Sequence, residues 1–278
     1  MTKSCTQYLT PAALLLTVLW GCIAKAEEPV PRSSAGEPQL LWCLDHFARF
    51  HHYEDVRTPY GPSVDLMQEL ARRAGFKLVF TPRTAVARCF RLMAEGKVDL
   101  MSNLKFSAER DAIMHLLPYN ETVPESLFMR HSDKRRVETE AQLQQLTLVT
   151  IRGYLYSPAL MTLLAENQRH VVEVDSIEAG LEMVFRGRVD GLIAPTVSTS
   201  NAIDNTAGYA HRFRRAKIDF SRGQPSFIHI GLSRLSPHAH LEPLLRQHLA
   251  AMIADGTVAT LYAEPTQTQL SPARVQQP

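Results

Sequence analysis

Apolar and polar positions fall along this chain in short blocks whose period switches between that of a strand and that of a helix. Leu40 to Leu44 is a brief apolar run that predicts a buried strand. Pro59-Tyr60-Gly61-Pro62 is a turn, and Ser63 is placed to cap the helix that follows it. In that helix Val64, Met67, Leu70, Ala71 and Ala74 recur at three and four residues, one buried stripe, until Gly75 stops it. Lys77 to Phe80 predicts a strand, Ala87 to Glu95 a helix closed by Gly96, and Val98 to Met101 another strand.

The second half repeats this order. Thr147 to Ile151 predicts a strand, and Ser157-Pro158 opens a helix with Ser at the cap and Pro in the first turn. Val171 to Val174 is a strand, Ser176 begins a helix through Leu181, Val184 and Phe185, and Val189 to Ile193 is a further strand. Short strands alternating with helices argue for parallel α/β sheets.

One internal echo sharpens this. The run Met93-Ala94-Glu95-Gly96-Lys97-Val98-Asp99-Leu100 shares a G-[KR]-V-D core with Val184-Phe185-Arg186-Gly187-Arg188-Val189-Asp190-Gly191. Each copy ends a helix at Gly, puts a cation by the helix C-terminus and starts a strand. Two similar α/β lobes follow. The end of the chain supplies only a strand, Ser226 to Leu232, and a helix carrying Leu241, Leu244, Leu245, Leu249, Met252 and Ile253. These cannot bury a core alone and are expected to return to the first lobe.

Charge narrows the function classes. Of 30 Lys+Arg against 28 Asp+Glu in 278 residues, the excess is Lys3 and Lys25. Residues 27–278 are therefore neutral, which argues against a nucleic-acid partner. Lys3, the apolar run Ala12 to Trp20 and Ala24-Lys25-Ala26 read as a signal peptide over residues 1–26, cleaved after Ala26 for export to a periplasm. Leu19-Trp20-Gly21-Cys22 offers lipoprotein processing at Cys22 as the alternative. Residues 27–37 are Pro- and Ser-rich and read as a flexible linker, and 265–278 as a flexible tail.

After cleavage Cys43 and Cys89 remain, and an oxidising compartment suggests that they form a disulfide; two buried free thiols are the alternative. Neither sits in a C-x-x-C pair, so a zinc ribbon is ruled out. His46, His51 and His52 lack helical metal-ligand spacing and read as a loop of solvated histidines; no cofactor is expected.

Four stretches, in this order, carry a resemblance over roughly Leu40 to Glu264. They are Gly61-Pro62-Ser63-Val64-Asp65-Leu66 leading into Leu70-Ala71, and Gly96-Lys97-Val98-Asp99-Leu100-Met101; then Ser107-Ala108-Glu109-Arg110 with Leu117-Pro118-Tyr119, and Ala254-Asp255-Gly256-Thr257 before Leu261. The sequence resembles the bacterial extracellular solute-binding proteins of family 3, the amino-acid-binding receptors of ABC importers. That resemblance implies an α/β fold, a two-lobed periplasmic binding protein clamshell of type II. Each lobe would be a parallel-dominated sheet flanked by helices, and two hinge crossings would join them near Phe128 to His131 and Asp219 to Gly223. Lobe 1 is then expected over 38–130 plus 221–264 and lobe 2 over 131–220.

The resemblance also implies site residues. Arg110 matches the arginine that grips a ligand carboxylate, and its planar guanidinium suits that task. Asn103 and Lys105 match positions contacting the same carboxylate, and Phe47 matches a pocket aromatic. Gly153 and Tyr154 lie where the second lobe would meet ligand, and Arg88 and Arg152 are further candidate cations. Relatives that bind free amino acids carry an acid after the strand equivalent to Val189–Ile193, where this chain has Ala194-Pro195-Thr196. An amino-acid-like solute, a carboxylate or another small anion is the expected ligand, bound by a monomer without catalysis. An ABC permease or a membrane sensor would read the closure. A periplasmic enzyme of the cyclohexadienyl-dehydratase type is the alternative on this scaffold, although no G-x-S-x-G, P-loop or metal motif is present.

Overall fold

The structure, a computed structural model, describes residues 36–53, 58–221 and 225–263. The predicted leader, its cleavage site, Cys22 and the predicted tail lie outside the described residues. No helix among the described residues is long and apolar enough to cross a membrane.

Two five-stranded mixed sheets organise the chain. The first contains β1 (Gln39–Trp42), β2 (Lys77–Phe80), β3 (Leu100–Leu104), β4 (Met114–Thr122) and β10 (Ser226–Ser233), in the order β2-β1-β3-β10-β4. The second contains β5 (Glu125–Arg130), β6 (Leu148–Ile151), β7 (Val171–Val174), β8 (Gly191–Pro195) and β9 (Phe213–Arg215), in the order β7-β6-β8-β5-β9. In each sheet the first three strands run parallel and the fourth and fifth join antiparallel. The fourth strand is exchanged in sequence: the late β10 enters the first sheet, and the early β5 enters the second. The clamshell follows from that exchange.

Helices α1 (Pro62–Ala74), α2 (Val86–Ala94), α3 (Ala108–Ile113), α8 (Glu242–Ala254) and α9 (Thr257–Tyr262) belong to the first lobe. The second has α4 (Glu140–Leu143), α5 (Pro158–Glu166), α6 (Ile177–Phe185) and α7 (Thr196–Asn205). In α1 the stripe Val64, Met67, Leu70 and Ala71 is buried against β1, β3 and the stripe Leu245, Leu249 and Met252 of α8. Ser63 is not the cap: Gly61 holds that place, and the Ser63 hydroxyl turns inward.

The repeated G-[KR]-V-D junction has one architecture in both lobes. Gly96 and Gly187 adopt left-handed φ of 65° and 70°, which glycine does without a Cβ penalty. The Asp99 N–H donates to Leu41 O at 2.9 Å while its carboxylate accepts the Leu41 N–H at 2.6 Å. Asp190 repeats this on Thr147, at 2.7 and 2.8 Å. The side chain thus completes a pair of hydrogen bonds where the parallel ladder begins, so the strands proper start after the aspartate. At their other ends β3 and β8 run to Leu104 and Pro195, beyond the predicted ends at Met101 and Ile193, because β10 pairs with Leu104 and β5 with Ala194 and Pro195.

One boundary moves. Phe128 to His131 is not a crossing, because Glu125–Arg130 is a strand pairing with β8 and β9. The first crossing is Val123-Pro124, and 125–130 belongs to the second lobe rather than the first. The second crossing lies between Phe220, packed in the second lobe's core, and β10, partly outside the described residues. The pattern of 114–130 hid these strands because Pro118, Asn120 and Pro124 interrupt its alternation.

Candidate functional site

The carboxyl ends of β1 and β3, the N-terminus of α2 and the loop after β6 converge on a cavity of about 100 Å³ between the lobes. Phe47, Asn103, Lys105, Arg110, Gly153 and Tyr154 all line it. Arg88 does not: it is exposed on α2, one position from the inward-facing Cys89. Arg152 is also turned to solvent, ion-paired with Asp175 and Glu173.

Arg110 is placed by its own helix cap. Ser107 accepts the Arg110 N–H at 3.2 Å, which fixes the first turn of α3 and sends the side chain back toward the end of β3. The guanidinium donates to Lys105 O and, across the cleft, to Gly153 O, each at 2.9 Å. It lies over the Phe90 ring, 4.4 Å from the centroid. No salt bridge serves it among the described residues, and burial pulls its pKa down to about 10. A half-buried cation that rests on carbonyl dipoles and a ring, with Glu109 acting only at longer range, is poorly compensated, and a carboxylate would correct that.

Asn103 has a left-handed φ of 56°, unusual for a residue with a side chain. A buried network holds it there: Nδ2 donates to Ser63 Oγ at 2.9 Å, and Oδ1 accepts from Tyr119 at 2.8 Å. Tyr262 of α9 closes the network on both Ser63 and Tyr119, so the C-terminal helix props the cavity floor. The Asn103 amide is therefore engaged with protein groups.

Lys105 is engaged as well. Its ammonium meets Glu125 Oε2 at 2.5 Å, and Glu125, with its side chain only 3% exposed, also accepts the Ser157 N–H at 2.6 Å. Ser157 thus opens α5 without a side-chain cap bond; its N–H serves the carboxylate instead. Glu125 escaped the sequence reading. The visible signal was a lone acid between Pro124 and the apolar run Leu127-Phe128-Met129.

The histidines also need correction. His51 is buried and lines the cavity rather than lying in a solvated loop. Burial first, then His46 and His52, pushes its pKa down to about 3, so it is neutral. No group of three or more His, Cys, Asp or Glu able to hold a metal exists among the described residues. Cys43, just past β1, and Cys89 of α2 form a disulfide with Cα atoms 5.7 Å apart in the cavity wall.

Second-lobe contacts close the cleft. The Ser198 hydroxyl of α7 donates to Ala48 O at 2.8 Å, and Tyr154 meets Phe47 edge-on with ring centroids 5.9 Å apart. At Gly153, with φ of 81°, an added Cβ would stand 3.2 Å from Ala87, so glycine suits both the turn and the close approach of the lobes. Tyr156 is a structural residue, its hydroxyl bonded to Ile151 N and Ile193 O.

The family model for bacterial extracellular solute-binding proteins, family 3, matches residues 42–265. The chain belongs to that family. Among curated proteins none matches the sequence. Solved structures share the family's clamshell. An amino acid ABC transporter substrate-binding protein from Streptococcus pneumoniae, bound to L-arginine, superposes with a TM-score of 0.67 at 16% identity, covering 81% of this chain and 92% of that one. The arginine-, lysine-, histidine-binding protein ArtJ of Geobacillus stearothermophilus gives 0.68 at 14%, covering 82% and 94%. A histidine kinase sensor domain similar to periplasmic binding proteins gives 0.69 at 16%, covering 81% and 94%. At these identities the likeness speaks for the fold.

Proposed function

We propose that this chain is a periplasmic receptor that captures a small carboxylate or amino-acid-like solute between its lobes and presents it to an ABC permease. Arg110 carries the reading, a half-buried guanidinium at the cleft without a salt bridge among the described residues. Family membership supports solute capture, and the amino acid transporter proteins of the same fold support import as its purpose. Phe47 and Tyr154 supply apolar walls, while Asn103 and Lys105 shape the rim beside Arg110. Residues 1–26 act as a cleaved leader, and the receptor works as a monomer without a cofactor or catalysis. The likeness to a kinase sensor domain supports a second reading, presentation to a membrane sensor.

A thermal-shift screen of carboxylates and amino acids tests the proposal. A ligand at a hundred times its dissociation constant adds about 2.7 kcal/mol of stability. The response should vanish in Arg110→Ala. A ligand that stabilises wild type and variant alike would remove Arg110 from the site.

A further inference from the structure

The cavity wall carries five ionisable groups besides its tyrosines: Asp45, His51, Lys105, Arg110 and Glu125. Four already have partners within the protein. Asp45 accepts from Arg83 Nε at 2.9 Å and from the His46 N–H at 2.7 Å. Glu125 spends one oxygen on the Ser157 N–H and the other on the Lys105 ammonium. His51 is enclosed next to Trp42 and Asn103. Arg110 alone faces no opposite charge within salt-bridge reach among the described residues. Among the described residues the wall therefore carries one positive charge without a salt bridge, with Glu109 acting on it only at longer range, set among Trp42, Phe47, Phe50, Phe90, Val86 and Tyr154.

We infer that Lys105 is a tethered ammonium that fills, against Glu125, the place a ligand's amino group would need, so that the ligand is a small monocarboxylate with an apolar or aromatic body and no α-ammonium. A zwitterion entering this cavity would meet Arg110 with its carboxylate but find Glu125 taken. Its ammonium would be desolvated with Glu125 held by Lys105 and Asp45 held by Arg83, or it would displace Lys105 and strand that charge instead. A carboxylate without the amino group neutralises Arg110 and leaves the Lys105–Glu125 pair intact. This inference rests on the reading of Arg110 as the carboxylate grip.

Calorimetry with matched pairs tests it: 3-phenylpropanoate against L-phenylalanine, 4-methylpentanoate against L-leucine, and butanoate against L-2-aminobutanoate. Wild type should bind at least one deaminated acid about tenfold or more tighter than its amino counterpart. Lys105→Met frees Glu125 and should shift that preference about tenfold or more toward the amino acid. Amino acids bound by wild type as tightly as their partners, with binding lost in Arg110→Ala, would overturn this inference and leave the carboxylate grip standing. No binding of any member would overturn both. Should Lys105→Met fail to fold, Glu125→Gln keeps the acceptor for Ser157 and deletes the charge. It should then favour succinate over butanoate by about tenfold more than wild type does, and an unchanged ratio would overturn the charge assignment.

Discussion

The two lobes are built alike and equipped differently. Both have the same strand order, and in both an aspartate after a left-handed glycine ties the start of the ladder. The first lobe adds to that frame a disulfide, a half-buried arginine and a buried histidine, all lining the cavity. The second lobe brings mainly backbone and rings to the same space: Gly153 O, Tyr154 and the Pro195-Thr196 corner. Among its described residues the one buried acid, Glu125, is held by the first lobe's Lys105. One lobe therefore carries most of the charge on a rim tied by the disulfide, and the other faces it with backbone and rings that complete hydrogen bonds.

The largest effect expected from breaking this asymmetry is at Arg110. Arg110→Ala should weaken ligand binding by roughly 2–5 kcal/mol, tens to thousands of fold, in a protein whose circular dichroism is unchanged. Calorimetry reads it, and retained affinity would move the grip elsewhere. Replacing Cys43 and Cys89 together by serine opens a loop with a sequence separation of 46. Chain entropy then predicts a loss on the order of 3–4 kcal/mol in denaturant midpoint stability. No such staple exists among the described residues of the second lobe, so the first lobe should lose hydrogen-exchange protection preferentially.

The paired aspartates sharpen the comparison. Asp99 is buried and also accepts from Ser236 at 2.5 Å, whereas Asp190 has a side chain 25% exposed and shared with Arg135. Asp99→Ala should cost about 1–3 kcal/mol, and Asp190→Ala less, because water reaches the groups it would orphan. Equal costs measured by urea unfolding would show that exposure does not decide the matter.

Acid should also act on the first lobe. His51 has its pKa lowered by burial to about 3, while the described histidines of the second lobe, His131, His170 and His211, are exposed. Between pH 6.5 and about 4.5 the unfolded chain takes up a proton at this position and the folded chain does not. Stability should thus fall with falling pH by about 1.4 kcal/mol per unit for this group. His115 and His229, also lowered by burial, add to the slope. His51→Gln should flatten it, and an unchanged slope in that variant would sink the assignment. The smallest effect belongs to the second lobe: Tyr154→Ala removes an edge-on contact with Phe47 and should weaken binding by about 0.5–1.5 kcal/mol. A loss matching that of Arg110→Ala would erase the distinction between the two lobes.

Sequence alone carried the repeated α/β grammar, because burial and helix ends write local patterns: the stripe of α1, the run Lys77–Phe80 and the glycines that end helices at the G-[KR]-V-D junctions are readable from near neighbours. It also marked Arg110, through the stretch Ser107-Ala108-Glu109-Arg110 on which the family resemblance rests. Tertiary structure alone decided what surrounds that arginine. The strand β5, which starts directly after Pro124, delivers Glu125 to Lys105 across 20 residues of chain and from the other sheet. Arg88 points away because a helix turns its side chains about 100° per residue, so Cys89 and not its neighbour faces the wall. His51 reads as a polar loop residue until Trp42, Phe47 and Asn103 enclose it. A segment's own pattern records whether it buries a face; which charge it meets there depends on chain that is remote in sequence, and that information exists only once the sheets have formed.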